Sequence, residues 1–242
     1  MVRVRSRPSR SQELADALRR SILAGEYRPS DRLPPERKLA EQRGVGRGTV
    51  REAFRELEQL GLVDIRHGGG VTVRSLDRAS LDLVRHLIVA DGRPDRHLIE
   101  QTFEVAEALV GATARLAVER GSPADLEATR EWLAAMRCPE LDDAGYFVAE
   151  QEFMRRLEAA SGNFVLCMLR NGLSALLPLP QREQLGGALR PPAALLDSIA
   201  KQIDGALEAR EAGGVEEGLL RLLTHRRQRI LALVDVAPVE PG

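Results

Sequence analysis

The chain reads as mainly α-helical, with one short β-hairpin ending near residue 75. Three observations carry that reading. Apolar residues recur at spacings of three and four over most of the 242 residues, the signature of amphipathic helices. Aromatic residues make up only 3%, so the core must be built from Leu, Ala, Val and Ile, and a composition rich in Leu, Ala, Glu and Arg favours helix. The period changes to two in a single place, "LVDIRHGGGVTVR".

The elements follow in order. "SQELADALRRSILAGEY" is a helix with Leu14, Ala17, Leu18 and Ile22 on one face and Gly25 as its stop. "RPSDRLPP" reads as loop. Pro35 suits the first position of "PERKLAEQRG", whose inner face carries Leu39 and Ala40 and which Gly44 ends. After "VGRG", the segment "TVREAFRELEQLG" sets Val50, Phe54, Leu57 and Leu60 in one stripe and closes at Gly61. Leu62, Val63 and Ile65, then a glycine-rich tip, then Val71 and Val73 make the hairpin. Helix, helix, short turn, helix, hairpin is the element order of a winged helix-turn-helix, placed at residues 1–75. From 76 to 237 every stretch follows helical spacing, from "SLDLVRHLIVA" to "VEEGLLRLLTHRRQRILALV", apart from the loop "PLPQREQLGGALRPP". Ser122-Pro123 starts one of these helices with an N-cap and a Pro at N1. The second part is therefore predicted as an all-α bundle of six or seven helices.

Apolar content of 43% is ordinary for a globular core, and the net charge of −1 hides an asymmetry. Residues 1–75 carry 16 Lys/Arg against 10 Asp/Glu, a balance of +6, and the remainder carries −7. A basic segment joined to an acidic one is what a chain needs if only the first faces a polyanion; chance charge variation would also produce it. Cys138 and Cys167 form neither a disulfide framework nor metal-ligand spacing. "MVRVRSRPSR" is basic but has no apolar core of a secretory signal. No apolar run approaches the ~18 residues that span a bilayer. The expectation is a cytoplasmic protein with no membrane partner.

"GVGRGTVREAF", residues 44–54, holds the candidate chemistry. A packed core explains Val45, Val50 and Phe54 but not Arg47, Gly48 and Arg51. In a helix-turn-helix the second helix lies in the major groove with its N-terminal residues against base edges. Arginine can take guanine O6 and N7 together, or a phosphate. Thr49 and the free amides of the helix start can hold a backbone phosphate. Gly48 lets the backbone approach DNA closely, and costs about 1 kcal/mol of helix stability relative to Ala. Taken alone, Arg47 and Arg51 fit a solvated helix face better than a groove-reading one.

The long stretch "LRRSILAGEYRPSDRLPPERKLAEQRGVGRGTVREAFRELEQLGLVDIRHGGGVTV" resembles the DNA-binding domain of the GntR family of bacterial transcription regulators, and the resemblance covers residues 14–73. It implies that Arg37 in "LPPER" contacts phosphate or base, that Arg47 and Arg51 read the groove, that Thr49 binds phosphate, and that His67 and Gly68 form a wing tip in the minor groove. It also implies a homodimer on a palindromic double-stranded DNA operator. Departures from the family pattern are Gly46 where Ser or Thr is usual, Gly48 where a non-glycine is usual, Pro29-Ser30 for Pro-Gly, and "PPER" for Pro-Ser-Glu-Arg.

"FEVAEALVGATARLAVER", "EQEFMRRLEAASGNFVL" and "GLLRLLTHRRQ" resemble the all-helical effector domain of the FadR-type branch of that family. Many members bind a divalent metal there through an Asp, a His one turn on, and two later histidines. The resemblance places Glu150, Met154, Ile203 and His225 at those positions, and Ala106 and Val110 where a pocket Arg and Glu are common. Two side-chain ligands do not make a tight site, so no metal and no cofactor is expected. The apolar replacements imply a metal-free pocket for a more hydrophobic small-molecule effector, such as a fatty acid or acyl-CoA. Two alternatives stay open: a filled core with Met154 as packing, and a residual metal-assisted site in a regulator of carboxylic-acid metabolism.

The function expected is a ligand-responsive, DNA-binding repressor rather than an enzyme. The aminotransferase-like domain of some GntR relatives, which uses pyridoxal phosphate, needs several hundred more residues and alternating strands and helices. A winged helix serving protein contacts would have no use for Arg37, Arg47 and Arg51 or for the +6 charge.

Overall fold

The computed structural model describes residues 8–66, 68–88, 94–176 and 189–236. Among them are ten α-helices and one two-stranded antiparallel sheet. The chain divides into two compact units, 1–86 and 87–242.

The first unit contains α1 (Arg10–Leu23), α2 (Glu36–Arg43), α3 (Arg47–Gln59), β1 (Val63–Arg66) and β2 (Gly70–Val73). Ser9 and Gln12 form a capping box that starts α1. The apolar stripe of α3, Val50, Ala53, Phe54 and Leu57, is fully buried and packs on α1, whose Leu14, Leu18 and Ile22 are buried in turn. Each such large side chain contributes roughly 1.5–3 kcal/mol when removed from water. In the hairpin Val63 pairs with Val73 and Ile65 with Val71, which sets the apolar residues of both strands on one face.

Two segments carry more than the sequence reading held. The stretch expected as the loop "RPSDRLPP" is a loop, and one isolated bridge ties it to the wing. Arg32 bridges Thr72, Ser30 N donates to Val73 O, Leu33 N to Val71 O and Val73 N to Asp31 O, each at 2.9 Å. The turn into this bridge puts Ser30 at φ 78°, a region that favours glycine. The second is "SLDLVRHLIVA", expected as a helix of the second domain. It forms one 3-10 turn, Leu81–Leu83, and a single-turn helix α4 (Val84–Leu87), preceded by another 3-10 turn, Leu76–Arg78, while residues 89 and 90 lie outside the described residues. Ser80 N donates to Leu60 O at 2.9 Å, and a Cβ on Gly61 (φ 72°) would sit 2.7 Å from Arg78 O. These ties fold the segment back onto the end of α3, so the first compact unit extends past residue 75 to His86.

The second unit holds six long helices among the described residues: α5 (Arg96–Arg120), α6 (Pro123–Met136), α7 (Asp143–Ala160), α8 (Phe164–Leu176), α9 (Ala193–Ala209) and α10 (Ala212–Val236). Asp95, Ser122 and Asp142 accept from the first free amides of α5, α6 and α7. The "AASGN" stretch is the α7–α8 corner: Gly162 takes φ 60°, and Asn163 Oδ1 accepts from Leu166 N at 3.1 Å to open α8. Phe153, Leu157, Ile199, Ile203 and Leu219 sit at the centre of the core. The α9–α10 contact is close because α10 presents Gly214 and Gly218. A Cβ on Gly214 would lie 2.7 Å from the Ala206 Cβ, and one on Gly218 would overlap Ile203. Most of the "PLPQREQLGGALRPP" loop, residues 178–188, lies outside the described residues.

Candidate nucleic-acid interface and buried cavity

In the helix-turn-helix the turn is made by Gly44, left-handed at φ 62°, whose N–H returns to Ala40 O. Gly46 then stands as the N-cap of α3 in extended backbone, with no side chain to accept from the amides that follow. The N–H groups of the first turn have no partner within the helix, and the helix dipole adds positive potential at that end. The outward face of α3 exposes Arg47, Gly48, Arg51 and Arg55 while the opposite face is closed by core. An anion can therefore meet backbone amides and guanidinium groups at one place.

Arg51 makes two contacts with Glu36 of α2, Nη2 to Oε2 at 3.0 Å and Nε to Oε1 at 3.3 Å, and its side chain remains 57% exposed. Arg37 sits on the first turn of α2, 75% exposed and 3.8 Å from Glu41. Exposed pairs of this kind contribute about 0–1 kcal/mol, so the fold does not depend on these arginines. A Cβ on Gly48 would meet nothing within 4 Å; packing gives no reason for glycine there. Thr49 is half-buried beside it. Gly68, at φ 73°, is exposed at the hairpin tip, and His67 lies outside the described residues. Arg55 and Glu36 were not singled out from sequence, although Arg55 continues the spacing of four from Arg47 and Arg51.

The helical unit forms a partly open cavity of about 120 Å³ between α5, α7, α8 and α10, walled largely by apolar side chains such as Phe103, Leu109, Leu173, Leu219 and Leu222. Of the expected pocket residues, Ala106, Val110, Glu150 and Met154 line it. Ile203 and His225 are not among the lining residues. Ile203 is fully buried in the core, where α9 meets Gly218. His225 points a buried Nε2 that has no hydrogen-bond partner.

Two cations in the lining went unread in the sequence. Arg226, three residues beyond Leu223 and four beyond Leu222, is ion-paired with Glu150 of α7, whose side chain is 6% exposed. Arg170 of α8 is ion-paired with the buried Glu158. Burial, and after it the Glu150 charge, raises the pKa of the nearby Tyr146 phenol. The phenol and Glu150 Oε2 are neighbours, and neither has any other hydrogen-bond partner among the described residues. The four-ligand metal site implied by the resemblance does not fit these residues. Glu150 is engaged by Arg226, Ile203 is core, and no group of three His, Cys, Asp or Glu among the described residues is placed to hold a metal.

The sequence model of the bacterial regulatory proteins of the gntR family matches residues 10–73, and that of the FCD domain matches residues 101–225, more than half of the chain. The chain belongs to the GntR family. Similar GntR-type relatives include the HTH-type transcriptional regulator Mce2R of Mycobacterium tuberculosis, 36% identical over 56% of this chain and 57% of its own length. LutR of Bacillus subtilis is 33% identical over 67% of this chain and 73% of its own. The fatty acid metabolism regulator protein of Serratia proteamaculans is 31% identical over 64% of each. The chain spans about half the length of the mycobacterial relatives it matches. A solved structure of Lar, which controls expression of the Listeria monocytogenes agr system, shares the fold at a TM-score of 0.52 and 18% identity, covering 94% of this chain and 99% of that one. These relatives are named as regulators, not enzymes. No helix of this GntR-family chain, among the described residues, is long and apolar enough to cross a membrane.

Proposed function

We propose that this protein is a cytoplasmic, DNA-binding transcription regulator, a repressor, that works as a homodimer on a palindromic operator. Its winged-helix unit contacts DNA through Arg37, Arg47, Gly48, Thr49, Arg51, His67 and Gly68. Its helical unit dimerises and holds a small, largely apolar effector. The observation that carries this reading is the first turn of α3, where uncapped amides and exposed arginines share one face of a helix whose other face is buried.

The homodimer reading is supported by α8, which leaves Phe164, Val165, Met168 and Leu169 exposed together. Contiguous large apolar residues on a surface mark an interaction face. The effector reading is supported by the apolar walls of the cavity, against which an acyl chain gains about 25 cal/mol per Å² of apolar surface. A relative named as a fatty acid metabolism regulator points the same way, so a fatty acid or acyl-CoA is the effector class proposed. Such a ligand changes DNA affinity only by its differential affinity for the two states of the protein.

Selection from a random duplex pool, followed by fluorescence anisotropy on the enriched sequence, tests the core of this. An inverted repeat bound by a dimer is the expected outcome, with the oligomer measured by sedimentation velocity. A pool that does not enrich overturns the DNA assignment. A monomer bound to a half-site overturns the dimer.

A further inference from the structure

Resting on the reading above of a small, largely apolar effector, and narrowing it away from free fatty acids, we infer that the cavity selects an effector whose head is a neutral donor–acceptor group, an acyl amide, over the matching carboxylate. The first reason is charge. The two cations in the lining already have their counterions within the protein: Arg226 is paired with Glu150 and Arg170 with Glu158. A carboxylate entering the cavity would share a guanidinium with the Glu150 anion beside it, and like charges in a site of low polarity repel strongly.

The second reason is hydrogen bonding. Glu150 lines the cavity and is 5% exposed, and the neighbouring Tyr146 phenol is a protein donor close to its otherwise unpartnered Oε2. Arg226 commits Nη2 to Glu150 Oε1, and a guanidinium carries five donors. The pair therefore offers an acceptor with capacity for a further proton donor beyond the Tyr146 phenol, next to donors in excess of their acceptors. An amide matches both, its N–H donating to Glu150 Oε2 and its carbonyl accepting from Arg226. A carboxylate has no donor to give. The third reason is the wall: Phe103, Leu173, Leu219 and Leu222 leave apolar space for a chain behind that head.

Calorimetric titration of the full chain with octanamide and with octanoate at neutral pH tests this. Octanamide is expected to bind about tenfold tighter or more, because a site built for a donor rejects the analogue lacking it. Glu150→Gln removes the internal anion and leaves Arg226 seeking one, so its preference should reverse toward octanoate. The double variant Glu150→Gln/Arg226→Gln leaves no member of the pair charged, and should bind the two probes within about threefold of each other. It keeps the test decisive if the single variant fails to fold. Octanoate binding at least as tightly as octanamide to the unmodified protein overturns this inference and leaves the effector reading standing, as does a preference that survives the double variant unchanged. Silence of both probes with the unmodified protein overturns the effector reading, and this inference with it.

Discussion

In the winged-helix unit Arg37 and Arg51 are more than half exposed, beside an exposed Glu41 and a half-buried Glu36, and a Cβ on Gly46 or Gly48 would meet open space. In the helical unit Arg226 and Arg170 hold carboxylates that are almost wholly buried, and a Cβ on Gly214 or Gly218 would strike α9. The same two residue types thus serve a surface in one unit and an interior in the other. Arginine at the surface is available to an outside anion and adds little to folding. Arginine in the interior is a structural necessity once its carboxylate is buried, because removing either partner strands the other. Glycine follows the same division, leaving room for something outside the protein in α3 and for a neighbouring helix in α10.

The largest expected effect tests the interior side of that contrast. Arg226→Gln leaves Glu150 buried without its counter-charge and should lower stability by about 3 kcal/mol, measured by urea denaturation. Adding Glu150→Gln should restore most of the loss. A single variant as stable as the parent would mean that the pair is a surface pair after all. Next, Gly218→Ala forces a methyl into Ile203 and should cost roughly 1–3 kcal/mol, partly relieved by Ile203→Val.

The surface side is sharpened by variants in α3 that separate folding from binding. Arg47→Ala should change stability by less than about 0.5 kcal/mol while weakening operator binding by roughly 1–3 kcal/mol. Gly48→Ala should stabilise the unit by up to about 1 kcal/mol and still weaken DNA binding. If both stability and binding rise together in Gly48→Ala, glycine there has no role in approach to DNA. The smallest effect is expected at Ser30, held at φ 78°. Ser30→Gly relieves a left-handed serine at some entropic cost in the unfolded chain, for a net gain of about 0.5–1 kcal/mol in thermal unfolding.

Features set by near neighbours were legible in the sequence. The stripe Val50, Phe54, Leu57 and the stops at Gly44 and Gly61 depend on residues within a turn or two, and they define α2 and α3. Features set by distant neighbours were not. Ser30 and Leu33 join the wing through hydrogen bonds to residues some forty positions later, which no local pattern announces. Leu76 to Leu87 has spacing compatible with helix, but the bond from Ser80 to Leu60 breaks it into short turns. In the cavity, Ala106, Val110, Glu150 and Met154 came from the resemblance, as did Ile203 and His225, which the structure sets elsewhere. Arg226 was missed because a charged residue beside a second arginine reads as surface; only its spacing from Leu219, Leu222 and Leu223 shows that it faces inward.

The uncapped start of α3 has a dynamic consequence. With Gly46 offering no side-chain acceptor, the first turn of this helix is a place of low local stability, and its amides open to solvent without unfolding of the core. In heavy water the Arg47, Gly48 and Thr49 amides should trade their hydrogens far sooner than those of Phe54 and Leu57. An anion lodged on that turn would slow the same three and no others in the helix, so isotope exchange at these sites reports occupancy of the helix end separately from any reading of bases.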